Sequence, residues 1–203
     1  MTTPPVNTVT YDYVQAWTGQ PFYNDWSQFD RSQLSIDSVI QALPHENRYA
    51  GNTRYPYSTA QHCLALWRGM KRARQPWQVQ GWALIHDFSE YIFGDIPTAW
   101  KTDEIRGYEA DVLRGFAAMF NLPEEMPAIV KEWDFRILRN EMDRFGNNEL
   151  PEEKKWWRKI ERLEYVADID LAECTPTWIR NQLRNAIGEL QEVAEQQGPK
   201  KKE

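Results

Sequence analysis

Cysteine is scarce. Cys63 and Cys174 are the two in 203 residues, too few for a disulfide framework, so a small secreted scaffold is excluded and a cytoplasmic setting is expected. Long apolar runs are missing, and none approaches the roughly 20 residues that cross a bilayer, so no membrane partner is expected. The opening "MTTPPVNTVT" lacks the basic and apolar regions of a secretory leader. Basic residues are in deficit, 24 Lys and Arg against 30 Asp and Glu, for a net charge of −6. A protein that coats DNA or RNA needs a basic face to displace counterions, so a polymeric nucleic acid is not the expected partner. A small nucleotide is not excluded, because a bound divalent metal supplies positive charge locally. What is plentiful is hydrophobic material, 41% of residues, enough for a sizeable core. Ten tryptophans are expected to lie mostly within it.

No internal repeat or long linker divides the chain. Residues 1–195 read as one domain and 196–203, "QQGPKKKE", as a disordered charged tail. Val9, Tyr11 and Tyr13 alternate ahead of Thr18-Gly19-Gln20-Pro21, which predicts a short hairpin. From there the period is helical. Ile36, Val39, Ile40 and Leu43 fall at helical spacing before Pro44. Ser58 and Gln61 read as a capping box that opens a helix carrying Cys63, Leu66, Trp67 and Met70 on one face. Pro76 suits the first turn of a helix running through "WQVQGWALIHDFSEYIF" to Gly94. "EIRGYEADVLRGFAAMFNLP" and "PAIVKEWDFRILRNEMDRF" are two more amphipathic helices. "KKWWRKIERLEYVADIDLAEC" reads as helical with a less clean pattern, and Thr175-Pro176 starts a last helix. The fold class is all-α: a bundle of six or seven helices with a small N-terminal strand segment.

Histidine is rarer still, with His45, His62 and His86 the full set. His86 is followed by Asp87 inside an apolar stretch. Neighbours on a helix point about 100° apart, so they converge only on something lying between them, and a divalent metal meets that condition. Taken alone, the His86-Asp87 pair reads more readily as a core histidine with a local hydrogen-bonding partner. That alternative must also cover Glu90, on the same face, and Asp95 in "FGDIPT", and burying such carboxylates unpaired costs several kcal/mol. A second histidine is needed from another helix, and His62 is the candidate. Two histidines with carboxylates suit Zn, Co, Mn, Ni or Fe. "VKEWDFRILRNEMDRF" offers two further acids. Asp134 shares a face with Val130, Ile137 and Leu138 and so points inward. Asp143 lies in a polar last turn and reads as a solvated surface acid.

His62, His86-Asp87 and Asp134 on successive helices resemble the HD-domain metal-dependent phosphohydrolases. "IHDFSEYIFGDIPTAWK" is similar to the H-D-x-S-E-x-x-x-G-D-x-P-T-x-x-K stretch of the small 5′-deoxynucleotidases. "NRYAGNTRYPYSTAQHCLALW" resembles the R-F-x-G-x-T-x-x-x-Y-S-V-A-x-H-S segment of short phage-type members, some of them dATP triphosphohydrolases. "VKEWDFRIL" resembles their V-K-E-A-D-x-x-x-L helix, which picks out Asp134 over Asp143, and "VQAWTGQPFYNDW" their N-terminal segment. The resemblance covers Val14 to Phe145.

It implies an HD-domain helical bundle with a metal on His62, His86, Asp87 and Asp134, Glu90 and Asp95 as catalytic acids, and Arg48, Tyr49 and Lys101 on the substrate. Magnesium on the phosphates is a further implied ion, a homo-oligomer the implied assembly, and host cytoplasm the setting of a phage-encoded member. The implied reaction is conversion of dATP and water to deoxyadenosine and triphosphate. The rivals are a 5′-deoxynucleotidase acting on deoxynucleoside monophosphates, a phosphodiesterase, a non-catalytic nucleotide-binding regulatory module and a ligand-free structural bundle. Three features depart from the family pattern. Asn52 stands where some phage-type members have histidine, Cys63 follows His62 in place of serine, and Trp133 and Phe135 flank Asp134. Cys63 lies on the apolar face and reads as core. For Lys101 an exposed helix lysine, and for Tyr49 simple packing, remain open beside the substrate roles.

Overall fold

The structure, a computed structural model, describes residues 12–166 and 174–198. It is all-α with an N-terminal hairpin of β1 (Tyr13–Gln15) and β2 (Pro21–Tyr23). Tyr13 pairs with Tyr23 and Val14 with Phe22 in antiparallel register, and Gly19 takes the left-handed φ of +94° in the link. Val9 and Tyr11 lie outside the described residues. The helices are α1 (Ile36–Ala42), α2 (Thr59–Arg72), α3 (Trp77–Ile85), α4 (Glu90–Phe93), α5 (Asp103–Met119), α6 (Ala128–Phe145) and α7 (Pro176–Gln197). α7 runs two residues into the stretch read as a tail, and residues 199–203 lie outside the described ones. Among the described residues, no helix is long and apolar enough to cross a membrane.

α2 is the centre of the bundle. The Ser58–Gln61 capping box starts it, with both reciprocal bonds formed. Buried residues lie on every side of it, from Thr59 to Met70, because α3, α6 and α7 pack around it. A helix enclosed in this way puts its polar side chains where water does not reach, and His62 is one of them. Gly81 allows α3 its close approach to the chain around it, since a Cβ there would lie 2.7 Å from Leu122 and 3.0 Å from Leu190.

Several expectations change. The helix expected to run unbroken to Gly94 breaks after Ile85. Residues 86–89 form tight turns, with Phe88 N–H on Ile85 O at 2.8 Å and Glu90 N–H on Asp87 O at 3.0 Å, before α4 makes one more turn. Gly94, at φ +73°, then ends α4. The tryptophans are not mostly core. Trp67, Trp82, Trp133 and Trp157 are buried, Trp26 and Trp77 are half-buried, and Trp17, Trp100, Trp156 and Trp178 are exposed.

The third change is in the segment after α6, expected to be helical, which forms three 3-10 turns at Glu152–Lys154, Trp156–Lys159 and Glu164–Val166. Residues 167–173 lie outside the described ones. The backbone groups of this segment find partners on α6 in place of a helical ladder. Asn140 brackets Leu163, with its Nδ2 on Leu163 O at 3.0 Å and its Oδ1 on Leu163 N–H at 2.9 Å, and Arg136 donates to Arg162 O at 2.9 Å.

Asp143 is correspondingly not a solvated surface acid. It accepts from Arg139 Nε at 2.7 Å, Arg162 Nε at 2.9 Å and Trp157 Nε1 at 3.1 Å, fastening the 3-10 segment to α6. Burial raises its pKa, but the bonds from Arg139 and Arg162 outweigh this and hold the carboxyl below its usual range. A depressed folded pKa stabilises above the unfolded value of about 3.9, and the gain is lost as pH falls through the folded value. Asp143→Asn is therefore expected to lower stability by about 1–2 kcal/mol at neutral pH. Thermal melts of the two proteins should converge as the solution is acidified, and equal melting temperatures at pH 7 would dismiss the network as a stabiliser.

Candidate metal centre

Each proposed ligand comes from a different local circumstance. His62 lies in the first turn of buried α2. His86 is the C-cap of α3, and Asp87 follows in the break before α4. Asp134 projects from α6.

The rings are oriented by their outer nitrogens. His86 Nδ1 lies 2.9 Å from Ala83 O, which accepts only from a protonated nitrogen, so Nδ1 carries the hydrogen. His62 Nδ1 lies 2.6 Å from Glu141 Oε1, with the same consequence. Both Nε2 atoms then face inward, 2.9 Å apart. Asp87 Oδ2 is 3.5 Å from His62 Nε2 and 3.4 Å from His86 Nε2. Asp134 Oδ1 is 3.1 Å and 3.8 Å from the same two nitrogens. Donors bound to one ion at about 2.1 Å lie roughly 3.0–3.4 Å from each other, so the two histidines and Asp87 lie close to the spacing of a shared first-row metal, while Asp134 sits near His62 and farther from His86. Among the described residues, His62, His86 and Asp87 form a group whose donor atoms all lie within 4.8 Å, a cluster that can hold a divalent metal. Two acceptor nitrogens this close need a proton or a cation between them, and the site's field supplies the preference. Burial and Arg48 oppose a charge on His62, yet Glu141 and Asp134 push its pKa up to about 10. Asp134 is held well below its usual range, burial being outweighed by bonds from the two histidines. It reaches inward as expected and leaves 40% of its side chain exposed.

The surrounding residues are more committed than the sequence indicates. Glu90 is buried and accepts from Thr59 Oγ1 at 2.7 Å, and burial beside Asp87 pushes its carboxyl well above the usual range. Arg48 is no surface loop residue. Its Nη1 donates to Asp87 at 3.1 Å and its Nε lies 3.5 Å from Glu141. Asp95 accepts the Tyr49 N–H at 2.9 Å, and its own N–H donates to Glu46 at 3.1 Å. Tyr49, Ala50 and Gly51 are three successive residues at positive φ. Asn52 Nδ2 donates to the carbonyls of the first two at 3.1 and 3.3 Å, so Asn52 stabilises the loop. Lys101 pairs with Glu109 at 2.7 Å, so it is not an exposed helix lysine. Cys63 is buried, and burial pushes its thiol well up, in keeping with a core role.

Glu141 is absent from the expected site and sits at its back, fully buried. It accepts from Tyr57 Oη at 2.8 Å and from Tyr49 Oη as well as from His62. Arg48 and His62 hold it at about 2 against the upward pull of burial. One signal was available: Glu141 lies seven residues after Asp134 and four after Ile137, on the inward face of α6. Thr59 and Tyr57 carried no such signal.

No family model matches the chain. An uncharacterized protein of Rhodobacter capsulatus is 33% identical over 107 residues, 48% of this chain and 54% of that protein, so the match spans about half the length of this relative. The uncharacterized protein YfdR of Escherichia coli is 25% identical over 136 residues, 66% of this chain and 72% of YfdR. A solved structure, the cyanophage S-2L HD phosphohydrolase DatZ bound to dA and one catalytic Zn2+ ion, superposes with a TM-score of 0.46 at 17% identity, over 80% of this chain and 98% of DatZ.

The donor geometry generates a direct expectation. Titration of the metal-stripped protein with Co2+ should give visible ligand-field bands that saturate at one ion per chain. His86→Ala and Asp134→Asn should each weaken that binding by at least about tenfold, and Asp143→Asn should leave it unchanged. Full binding by His86→Ala would place the ion elsewhere.

Proposed function

We propose that the protein is an HD-type metal-dependent phosphohydrolase acting on deoxynucleotides, with dATP as substrate and deoxyadenosine and triphosphate as products. The observation that carries the proposal is the pair of inward-facing Nε2 atoms with two carboxylates within 3.8 Å of them. A divalent metal on His62, His86, Asp87 and Asp134 would polarise phosphoryl oxygen and lower the pKa of water.

The chain's own residues supply the rest. Water oxygen forms the new bond to the α-phosphorus, the bond to ribose O5′ breaks, and a proton reaches O5′. Glu90, fixed by Thr59, orients the water. Arg48, held between Asp87 and Glu141, places its guanidinium beside the reacting phosphate, its charge shared with those two acids. Asp95 keeps its second carboxylate oxygen for the ribose 3′-hydroxyl. Its contact with the Tyr49 N–H supports a wall formed by both residues near C2′, where a 2′-hydroxyl would collide.

Lys101 favours a second reading. Its charge is matched by Glu109, which leaves less positive charge for distal phosphates than a triphosphate calls for. A 5′-deoxynucleotidase acting on deoxynucleoside monophosphates needs none beyond Arg48. The two readings share every metal ligand and differ in product.

A panel of dATP, ATP, dAMP and other deoxynucleotides, with released triphosphate and phosphate identified separately, decides between them. The proposal expects triphosphate from dATP and little turnover of ATP, and Glu90→Ala should lower kcat by about 10² with metal retained. For a triphosphate substrate Lys101 must turn from Glu109 to the distal phosphates, and Lys101→Ala should then raise KM for dATP far more than for dAMP. Phosphate release from dAMP alone would establish the second reading, and no turnover of any nucleotide by metal-loaded protein would leave the regulatory module.

A further inference from the structure

Behind the metal cluster, one buried carboxylate gathers donors from three parts of the chain. Glu141 accepts from His62 Nδ1 at 2.6 Å, from Tyr57 Oη at 2.8 Å and from Tyr49 Oη, and Arg48 Nε lies 3.5 Å away. Its side chain has no exposure. An isolated carboxylate in such a place costs several kcal/mol, and an apolar side chain of similar volume would serve a purely structural core at least as well. A charge kept there calls for a task that a hydrocarbon cannot do.

The geometry points to Glu141 as the positioning residue of the metal site, holding His62 in the tautomer that presents Nε2 to the ion and fixing the Arg48–Tyr49 arm in place. Glu141 and Asp134 stand two turns apart on one face of α6, and both reach His62, Asp134 at Nε2 and Glu141 at Nδ1. A single helix therefore supplies a ligand on one side of the imidazole and its backing on the other. A neutral imidazole has one N–H, and Glu141 accepts only from a protonated nitrogen, so it places that hydrogen on Nδ1 and leaves the Nε2 lone pair for the metal. His86 obtains the same orientation from Ala83 O, a backbone atom that substitution cannot remove. Of the two ring-orienting contacts, the one from Glu141 is set by the residue type. Through Arg48 the same carboxylate reaches Asp87, so the loop that carries the arginine and the ligand cluster share one anchor.

This rests on the metal reading above, and the experiment separates the two. Metal-stripped wild type and Glu141→Gln are titrated with Co2+ by calorimetry, and the ring nitrogens of His62 are observed by 15N-detected NMR in the Zn2+-loaded wild type. Glutamine keeps the shape, but its amide can turn a donor toward His62, and it cannot balance Arg48. A 10- to 100-fold loss of Co2+ affinity is expected, with the variant folded as judged by circular dichroism. Tyr57→Phe removes another of the Glu141 bonds without touching His62 and should bind Co2+ within about threefold of wild type, which a general loosening of the core would not allow. In the wild type, His62 should show a protonated, solvent-protected Nδ1 and a metal-bound Nε2. Wild-type affinity in a folded Glu141→Gln protein, or metal on Nδ1 of His62, overturns the assignment. Should Glu141→Gln fail to fold, the NMR result on the wild type decides alone. Absence of Co2+ binding by the wild type would instead defeat the metal reading itself.

Discussion

The inward-facing pair of nitrogens, His62 Nε2 and His86 Nε2 at 2.9 Å, constrains much of what surrounds it. Lone pairs of neutral imidazoles repel at that distance, so the folded chain must supply a positive centre between them and negative charge around it. The acids of the site answer that requirement. Asp87 and Asp134 border the gap, and Glu141 lies against the far edge of His62. Arg48 then balances two of those acids, touching Asp87 and Glu141 together. Burial makes each of these interactions stronger and each omission costlier.

The helices place these groups by quite ordinary means. A capping box begins α2 one turn before His62. An antiparallel bridge between Asn47 and Ser58 closes the loop that carries Arg48, Tyr49 and Tyr57, and so brings it against the start of α2. Thr59, the residue after the cap, holds Glu90. Within that closed loop, Tyr49 and Ala50 adopt left-handed backbone conformations that disfavour side chains larger than glycine's hydrogen. Hydrogen bonds from the Tyr49 N–H to Asp95 and from Asn52 to the Tyr49 and Ala50 carbonyls offset that strain. A loop held this firmly gives Arg48 one position.

Much of this was legible in the residues. Local rules located the N-terminal hairpin, the start of α2 and the ends of α5 and α6, because turn and capping chemistry act over three or four residues. The helix face of Val130 and Ile137 separated Asp134 from Asp143. What escaped was set by contacts distant in sequence. No glycine or proline marks the break at residues 86–89, and an apolar run continues through it. Lys155 to Val166 contains helix-forming residues, but its backbone groups bond to Asn140 and Arg136 of α6. Glu141 and Asp143 sit in "RNEMDRF", a stretch that reads as a solvated helix end until the partners of each acid are known. Lys101 looked available for phosphates because Glu109, its partner, lies on the next helix.

The proposed centre holds one ion at one place, and anomalous diffraction from crystals grown with Zn2+ or Co2+ tests that most directly. Data collected on either side of the metal absorption edge should show a single strong peak within about 2.3 Å of His62 Nε2, His86 Nε2, Asp87 and Asp134, with His62 Nδ1 still on Glu141. A peak ligated by other residues, or none at a metal concentration that saturates binding in solution, would contradict it.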